Sequence, residues 1–111
     1  MALTHAQPDE VIDLLPASEQ QAAHGSVSLL RTPHLQLLRL VMPEGHRMPG
    51  HRVPGAMTIQ CLQGKVRVGT ETGLQTLHGG QLLALSPAEP HEVLAMVASV
   101  LLVTLVHPVA N

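Results

Sequence analysis

Short apolar runs, separated at close intervals by glycine and proline, are the feature that most constrains the fold of this 111-residue chain. Each run has the length of a single strand. One run also alternates, because Met57, Ile59 and Cys61 share one face and Thr58 and Gln60 share the other. The pattern predicts an all-β chain of about eight to ten short strands, arranged as an antiparallel barrel or a double-sheet jelly roll.

The chain is predicted to form one domain, residues 1–111, with residues 1–8 disordered and the core barrel over about residues 26–107. Its helix content is limited to one or two short turns near the N-terminus, and residues 18–23 are predicted to form one, where Ser18 and Gln21 resemble a capping box. Residues 43–50, with two prolines and two glycines, are predicted to be a loop. Strands are predicted at 10–15, 26–32, 34–42, 57–62, 65–68, 74–77, 81–85, 91–96 and 99–106.

The composition argues against several classes of partner. There is no Phe, Tyr or Trp, so the aromatic platforms on which sugars and nucleobases usually stack are missing. Six basic against eight acidic residues give a net charge of −2. Without a basic cluster, nucleic-acid binding has no electrostatic support. No phosphate-binding glycine-rich loop is present either, and no nucleotide cofactor is expected.

Cysteine usage and hydropathy point to a cytoplasmic location without membrane contact. Cys61 is the single cysteine, so an intrachain disulfide is impossible. The N-terminus lacks the positive start and the apolar run of a signal peptide. The longest uncharged apolar stretch, residues 93–106, is shorter than the roughly 20 residues that span a bilayer.

Two segments follow the spacing of a paired metal-binding motif. The first carries Gly45, His51 and Gly64, and the second carries Gly80 and His91. Either match alone is weak, but both occur in the same order within a strand-rich chain. On these residues the chain resembles the cupins over about residues 35–106, and it is similar to the small, single-domain, RmlC-like cupins of uncharacterised bacterial type. The resemblance implies a jelly-roll cupin barrel, also called a double-stranded β-helix.

The chain departs from the cupin pattern at several positions. The first motif has a second histidine and a glutamate, and Val53 and Met57 stand in their places here. The second motif has a proline, a glycine and an asparagine where this chain has Ser86, Ala88 and Ala95. The resemblance therefore implies an incomplete metal site, with only two histidine ligands and no carboxylate.

His51 and His91 are the predicted metal ligands, since both fall at ligand positions of the resemblance. Their imidazoles are predicted to face one another across the barrel with Met57 beside them. The predicted cofactor is a divalent metal ion of unidentified type, held weakly because no ligand neutralises its charge. Sulfur ligands would bias the site toward Zn or Cu(I). The alternative role for the methionines and the cysteine is ordinary core filling. The additional candidate ligands are Met57, Cys61, Met48 and His46.

Three functions remain open from the sequence. The favoured one is a cupin that binds a small, mostly apolar molecule in its barrel. A metal-dependent enzyme such as a cupin dioxygenase or isomerase is the second, and Glu89 and Glu92 are the carboxylates nearest in sequence to His91 for the role of base. A metal-free structural or partner-binding module is the third. A homodimer is expected in each case, because residues 99–106 are apolar on both faces.

Overall fold

A computed structural model describes residues 5–16 and 25–108 of the chain. Within these ranges every regular element is a strand, which confirms the all-β class, and no helix long and apolar enough to cross a membrane is present. The strands are β1 (Ser26–Arg31), β2 (Leu35–Met42), β3 (Arg47–His51), β4 (Met57–Gln63), β5 (Lys65–Thr70), β6 (Gly73–His78), β7 (Gln81–Leu85), β8 (His91–Ala95) and β9 (Ser99–Val106).

The strands form two antiparallel sheets. The large sheet has the order β1-β2-β9-β4-β7, and the small sheet has the order β3-β8-β5-β6. Strands that are consecutive in sequence, such as β2 and β3 or β3 and β4, lie in different sheets, so the chain passes repeatedly from one sheet to the other. This arrangement is the double-sheet jelly roll that the strand pattern predicts.

The core lies between the two sheets. In β4, Met57, Ile59 and Cys61 are buried, whereas Thr58 and Gln60 are only partly so, as the period-2 pattern predicts. β9 lies at the centre of the large sheet, between β2 and β4. The buried core cluster is completed by Leu40, Met42, Val66, Val68, Leu77, Leu85, Val93, Ala95, Leu101 and Val103.

Gly64 makes the tight corner between β4 and β5. Its φ is +94°, in the left-handed region that only glycine enters without strain, and a Cβ there would lie 2.6 Å from the carbonyl oxygen of Ala98. Beside it, the Lys65 amide donates to Ser99 Oγ at 3.0 Å. Gly80, with φ +92°, makes the turn before β7. These two motif glycines, Gly64 and Gly80, therefore lie in turns.

The strand predicted at 10–15 is wrong, because these residues have no regular structure in the fold. The Ala6 amide donates to the carbonyl oxygen of Leu29 in β1, but Asp9 then adopts φ +73° and the chain turns. Val11 is 95% exposed, so the apolar pattern of this segment is not used to build the core. The helical turn predicted at 18–23 lies outside the described residues.

The loop predicted at 43–50 is only partly correct. Arg47–His51 forms β3 despite Pro49 and Gly50, because β3 is an edge strand that pairs with β8 alone. An edge strand tolerates a proline, since one side of its backbone has no neighbour to bond. Gly45 and His46 remain in the connection.

Candidate functional site

A cavity of about 360 Å³ lies between the two sheets. Its lining is mostly aliphatic and includes Leu40, Ile59 and Val93. β2, β4 and β9 of the large sheet supply most of these side chains, and β3 and β8 supply the facing wall. Small-molecule sites are usually concave and mostly apolar in this way.

His91 is the buried polar residue of this cavity. It begins β8, is 4% exposed and lines the cavity wall. Its Nδ1 lies 3.1 Å from the carbonyl oxygen of Glu89. A carbonyl oxygen only accepts, so Nδ1 is the donor in this hydrogen bond. The imidazole is thereby oriented by the backbone just before its own strand.

The backbone places His51 beside His91. The two Cα atoms are register partners in the β3–β8 ladder, so the residues lie side by side on neighbouring strands of one sheet. A bulge sets this register, because Pro49 and Gly50 together stand opposite Glu92. Without the extra residue, Gly50 would be opposite His91. The assignment of the two histidines as metal ligands stays a prediction.

The loop that precedes β8 is tied to the loop that connects β3 with β4. The Ala88 amide donates to the carbonyl oxygen of Val53 at 2.9 Å. Ala88 occupies the glycine position of the second motif frame and adopts φ +60°. The backbone at Ala88 therefore adopts the left-handed conformation that favours glycine, at a position where the motif has glycine.

Other predicted ligands reach the same cavity. Met57 is 4% exposed, Met48 is half-buried and pairs with Val93, and His46 is exposed, yet all three line the cavity. The Ala95 amide donates to the carbonyl oxygen of His46 at 2.9 Å, which holds this residue near β8.

Cys61 lies elsewhere in the core. Its side chain is fully buried, does not line the cavity, and its Sγ donates to the carbonyl oxygen of Gln63 at 3.4 Å. Burial raises the pKa of the Cys61 thiol above its ordinary value, so the group holds its proton more firmly.

Met42 is a cavity residue that the sequence analysis did not single out. It ends β2, is 2% exposed and lines the cavity. The signal was available in the alternation of Leu38, Leu40 and Met42 along β2, which places all three on the inner face.

The fold is shared with solved structures of cupins. No protein-family model matches the chain, and no curated protein matches it in sequence. A cupin superfamily protein from Desulfitobacterium hafniense is 14% identical with a TM-score of 0.77, over 97% of this chain and 99% of that one. The chain has the cupin fold.

Two further solved structures extend the comparison. A conserved protein of unknown function from Streptococcus pyogenes is 20% identical with a TM-score of 0.77, over 99% of this chain and 97% of that one. The KdgF protein from Halomonas is 17% identical with a TM-score of 0.69, over 76% of this chain and 80% of that one. At such identities the likeness establishes the cupin fold and leaves the function open.

The described residues of this cupin-fold chain do not fit a hard divalent metal ion. Among the side chains that the structure describes, which do not include that of His51, no three His, Cys, Asp or Glu come together. Glu89 accepts from the Ser86 amide at 3.0 Å through Oε1. Glu92 lies between the buried residues His91 and Val93 in β8, so its side chain is on the outer face of the sheet. There its Oε2 lies 3.7 Å from Nη1 of Arg47. The carboxylates considered as bases therefore make their contacts away from the cavity.

Proposed function

We propose that this cupin binds a small, uncharged and mostly apolar molecule in its barrel, with His91 at the polar end of the site. The observation that carries the proposal is the cavity of about 360 Å³, whose described lining is mostly aliphatic and methionine-rich, with Ser26, His46 and His91 as its polar side chains. A buried imidazole held by a backbone carbonyl fixes the orientation of a bound molecule through one hydrogen bond.

The charge of the lining favours a neutral ligand. Of the described residues that line the cavity, none is Lys, Arg, Asp or Glu. A charged ligand would leave water without a counter-charge, which is costly in an apolar site. The lack of aromatic residues also leaves no stacking platform for a polar nucleobase.

Binding is better supported than catalysis. A dioxygenase or isomerase needs a base beside the reacting atoms, and the two carboxylates nearest His91 in sequence contact Ser86 and Arg47 instead. The cavity itself presents imidazole and thioether groups.

Thermal unfolding with matched ligands tests this proposal. Octan-1-ol and octanoate have the same chain length and differ in charge. Octan-1-ol is expected to raise the melting temperature in a concentration-dependent way, because it binds only the folded state. Octanoate at the same concentration is expected to leave the melting temperature unchanged. Equal stabilisation by octanoate would contradict a neutral site. No shift with octan-1-ol would contradict binding.

We also propose that the cupin is a homodimer that packs through the outer face of the large sheet. On that face Leu82 of β7 is 53% exposed and Val106 of β9 is 46% exposed, and half-buried Leu102 lies in β9 on the same face. Light scattering of Leu82→Asp/Val106→Asp is expected to show a monomer, while Leu74→Asp, at a 61%-exposed position on the small sheet, stays dimeric. A monomeric parent protein would overturn the proposal.

A further inference from the structure

We propose that the ligand of the barrel is an elongated molecule with a hydrogen-bonding group at each end, of the class of diols and hydroxyketones with a chain of about ten carbons. The inference rests on the proposed function, which places one polar group of a neutral ligand at the His91 end of the cavity. It adds a second polar end, formed by Ser26 and His46.

The cavity is elongated along the strands. On the large sheet its lining runs from Leu101 to Leu105 of β9. On the small sheet it runs from His91, at the start of β8, to His46, which lies beside Ala95 at the end of β8. Each path covers four residue steps, which correspond to about 13 Å at the usual rise of a strand. An extended chain therefore fits the cavity lengthwise.

Ser26 and His46 lie at the same end of the cavity. The Ala95 amide donates to the carbonyl oxygen of His46 at 2.9 Å, which places His46 at the end of β8. Ser26 is the register partner of Leu40, and Leu40 in turn pairs with Leu101 near the start of β9. β8 ends and β9 begins at the same end of the barrel, because only a short turn joins them. A hydroxyl and an imidazole are therefore present at the end of the cavity opposite His91.

This second end is polar and open to solvent, whereas the middle of the cavity is apolar. Ser26 and His46 are exposed, and among the described residues neither side chain has a hydrogen-bond partner. Between them and His91 the described lining consists of aliphatic and methionine side chains. A ligand hydroxyl in that middle would lose its hydrogen bonds to water without replacement. At the Ser26 end it keeps partners in the two side chains and in water, so the cavity favours a ligand with polar groups at both ends.

Two pairs of alcohols, measured by calorimetry on the full-length protein, test the second polar end. Decane-1,10-diol is long enough to reach both ends of the cavity, so it is expected to bind at least as tightly as decan-1-ol, although its second hydroxyl makes it more soluble in water. Hexane-1,6-diol is too short to reach both ends, so one hydroxyl lies in the apolar middle. It is expected to bind at least about tenfold more weakly than hexan-1-ol.

Replacing the polar groups of the second end separates their contribution from that of water. Ser26→Ala/His46→Leu is expected to weaken the binding of decane-1,10-diol by about threefold to tenfold and not to weaken the binding of decan-1-ol. Ser86→Ala/His78→Leu is the matched control, because it changes the same residue types at exposed positions outside the cavity lining. It is expected to bind both alcohols as the parent does.

Two results would overturn the second polar end. One is weaker binding of decane-1,10-diol than of decan-1-ol to the parent, and the other is equal binding of the diol to the parent and to Ser26→Ala/His46→Leu. In either case, saturable binding of decan-1-ol leaves the proposed apolar site intact. If neither of the longer alcohols binds, the proposed function fails and this inference fails with it.

Discussion

His51 and His91 are register partners on neighbouring strands of the small sheet, and the bulge at Pro49 and Gly50 sets that register. The two motifs are defined by their spacing along the chain, and in the fold their histidines lie on two strands, β3 and β8, that pair with each other. Met57 comes from the opposite sheet and reaches the same cavity as His91. Two sheets are needed to bring the motif positions together.

Met57→Glu is expected to change the metal preference of the cavity. A carboxylate at this buried position supplies the negative charge that the described lining lacks, so Zn(II) affinity is expected to rise by at least about tenfold over the parent. Ile59→Glu, two residues along the same inner face, is the control and is expected to give a smaller gain. If Met57→Glu binds Zn(II) no better than the parent, the position is not next to a metal site.

Ala88→Gly is expected to stabilise the fold. A non-glycine residue in the left-handed region costs about 1–2 kcal/mol, and the extra freedom of glycine in the unfolded chain costs about 0.4–1 kcal/mol, so the net gain is on the order of 0.5–1 kcal/mol. Ala84→Gly, at an exposed position within β7, is the control and is expected to destabilise. Urea unfolding measures both, and a loss of stability in Ala88→Gly would contradict the account.

The fold was predictable because its signals are local. Strands β2, β4, β7 and β9 lie where apolar runs end close to glycine or proline, and Gly64 and Gly80 make turns that need a positive φ. β3 was missed because Pro49 and Gly50 signal a loop, and only pairing with β8 overrides that signal. Residues 10–15 were predicted as a strand on their apolar pattern, but in the fold no strand pairs with them.

The site was only partly predictable from the sequence. The motif frame marked His91 and Met57, and alternation placed Met57 on the inner face. It also placed Cys61 on that face, yet Cys61 lies away from the cavity, because the position of a residue along the strand decides whether it reaches the cavity or the packed core. The outward placement of Glu92 and the bond from the Ser86 amide to Glu89 depend on the tertiary register of β8.

The Cys61 thiol is expected to be unreactive in the folded protein at neutral pH. It is fully buried and its pKa is raised by desolvation, so the reactive thiolate is suppressed. A raised folded-state pKa contributes stability below the pKa of the unfolded thiol, and this stability is lost as the pH rises above about 8.5. Labelling with a disulfide reagent is expected to require denaturant at pH 7, and unfolding free energies are expected to fall above pH 8.5 in the parent but less in Cys61→Ala. Rapid labelling of the native protein would show that the thiol is accessible.

The most direct test of the barrel as a ligand-binding site is a pair of phenylalanine substitutions in β9. Val103 is 5% exposed and lines the cavity, while Val106 is 46% exposed on the outer face. The neutral fluorescent probe N-phenyl-1-naphthylamine brightens in apolar surroundings, and the parent chain has no aromatic residue to interfere. The account predicts saturable binding to the parent and to Val106→Phe, with affinity lowered by at least about tenfold in Val103→Phe because the ring occupies the cavity. Absence of binding to the parent, or equal affinity in the two variants, would contradict it.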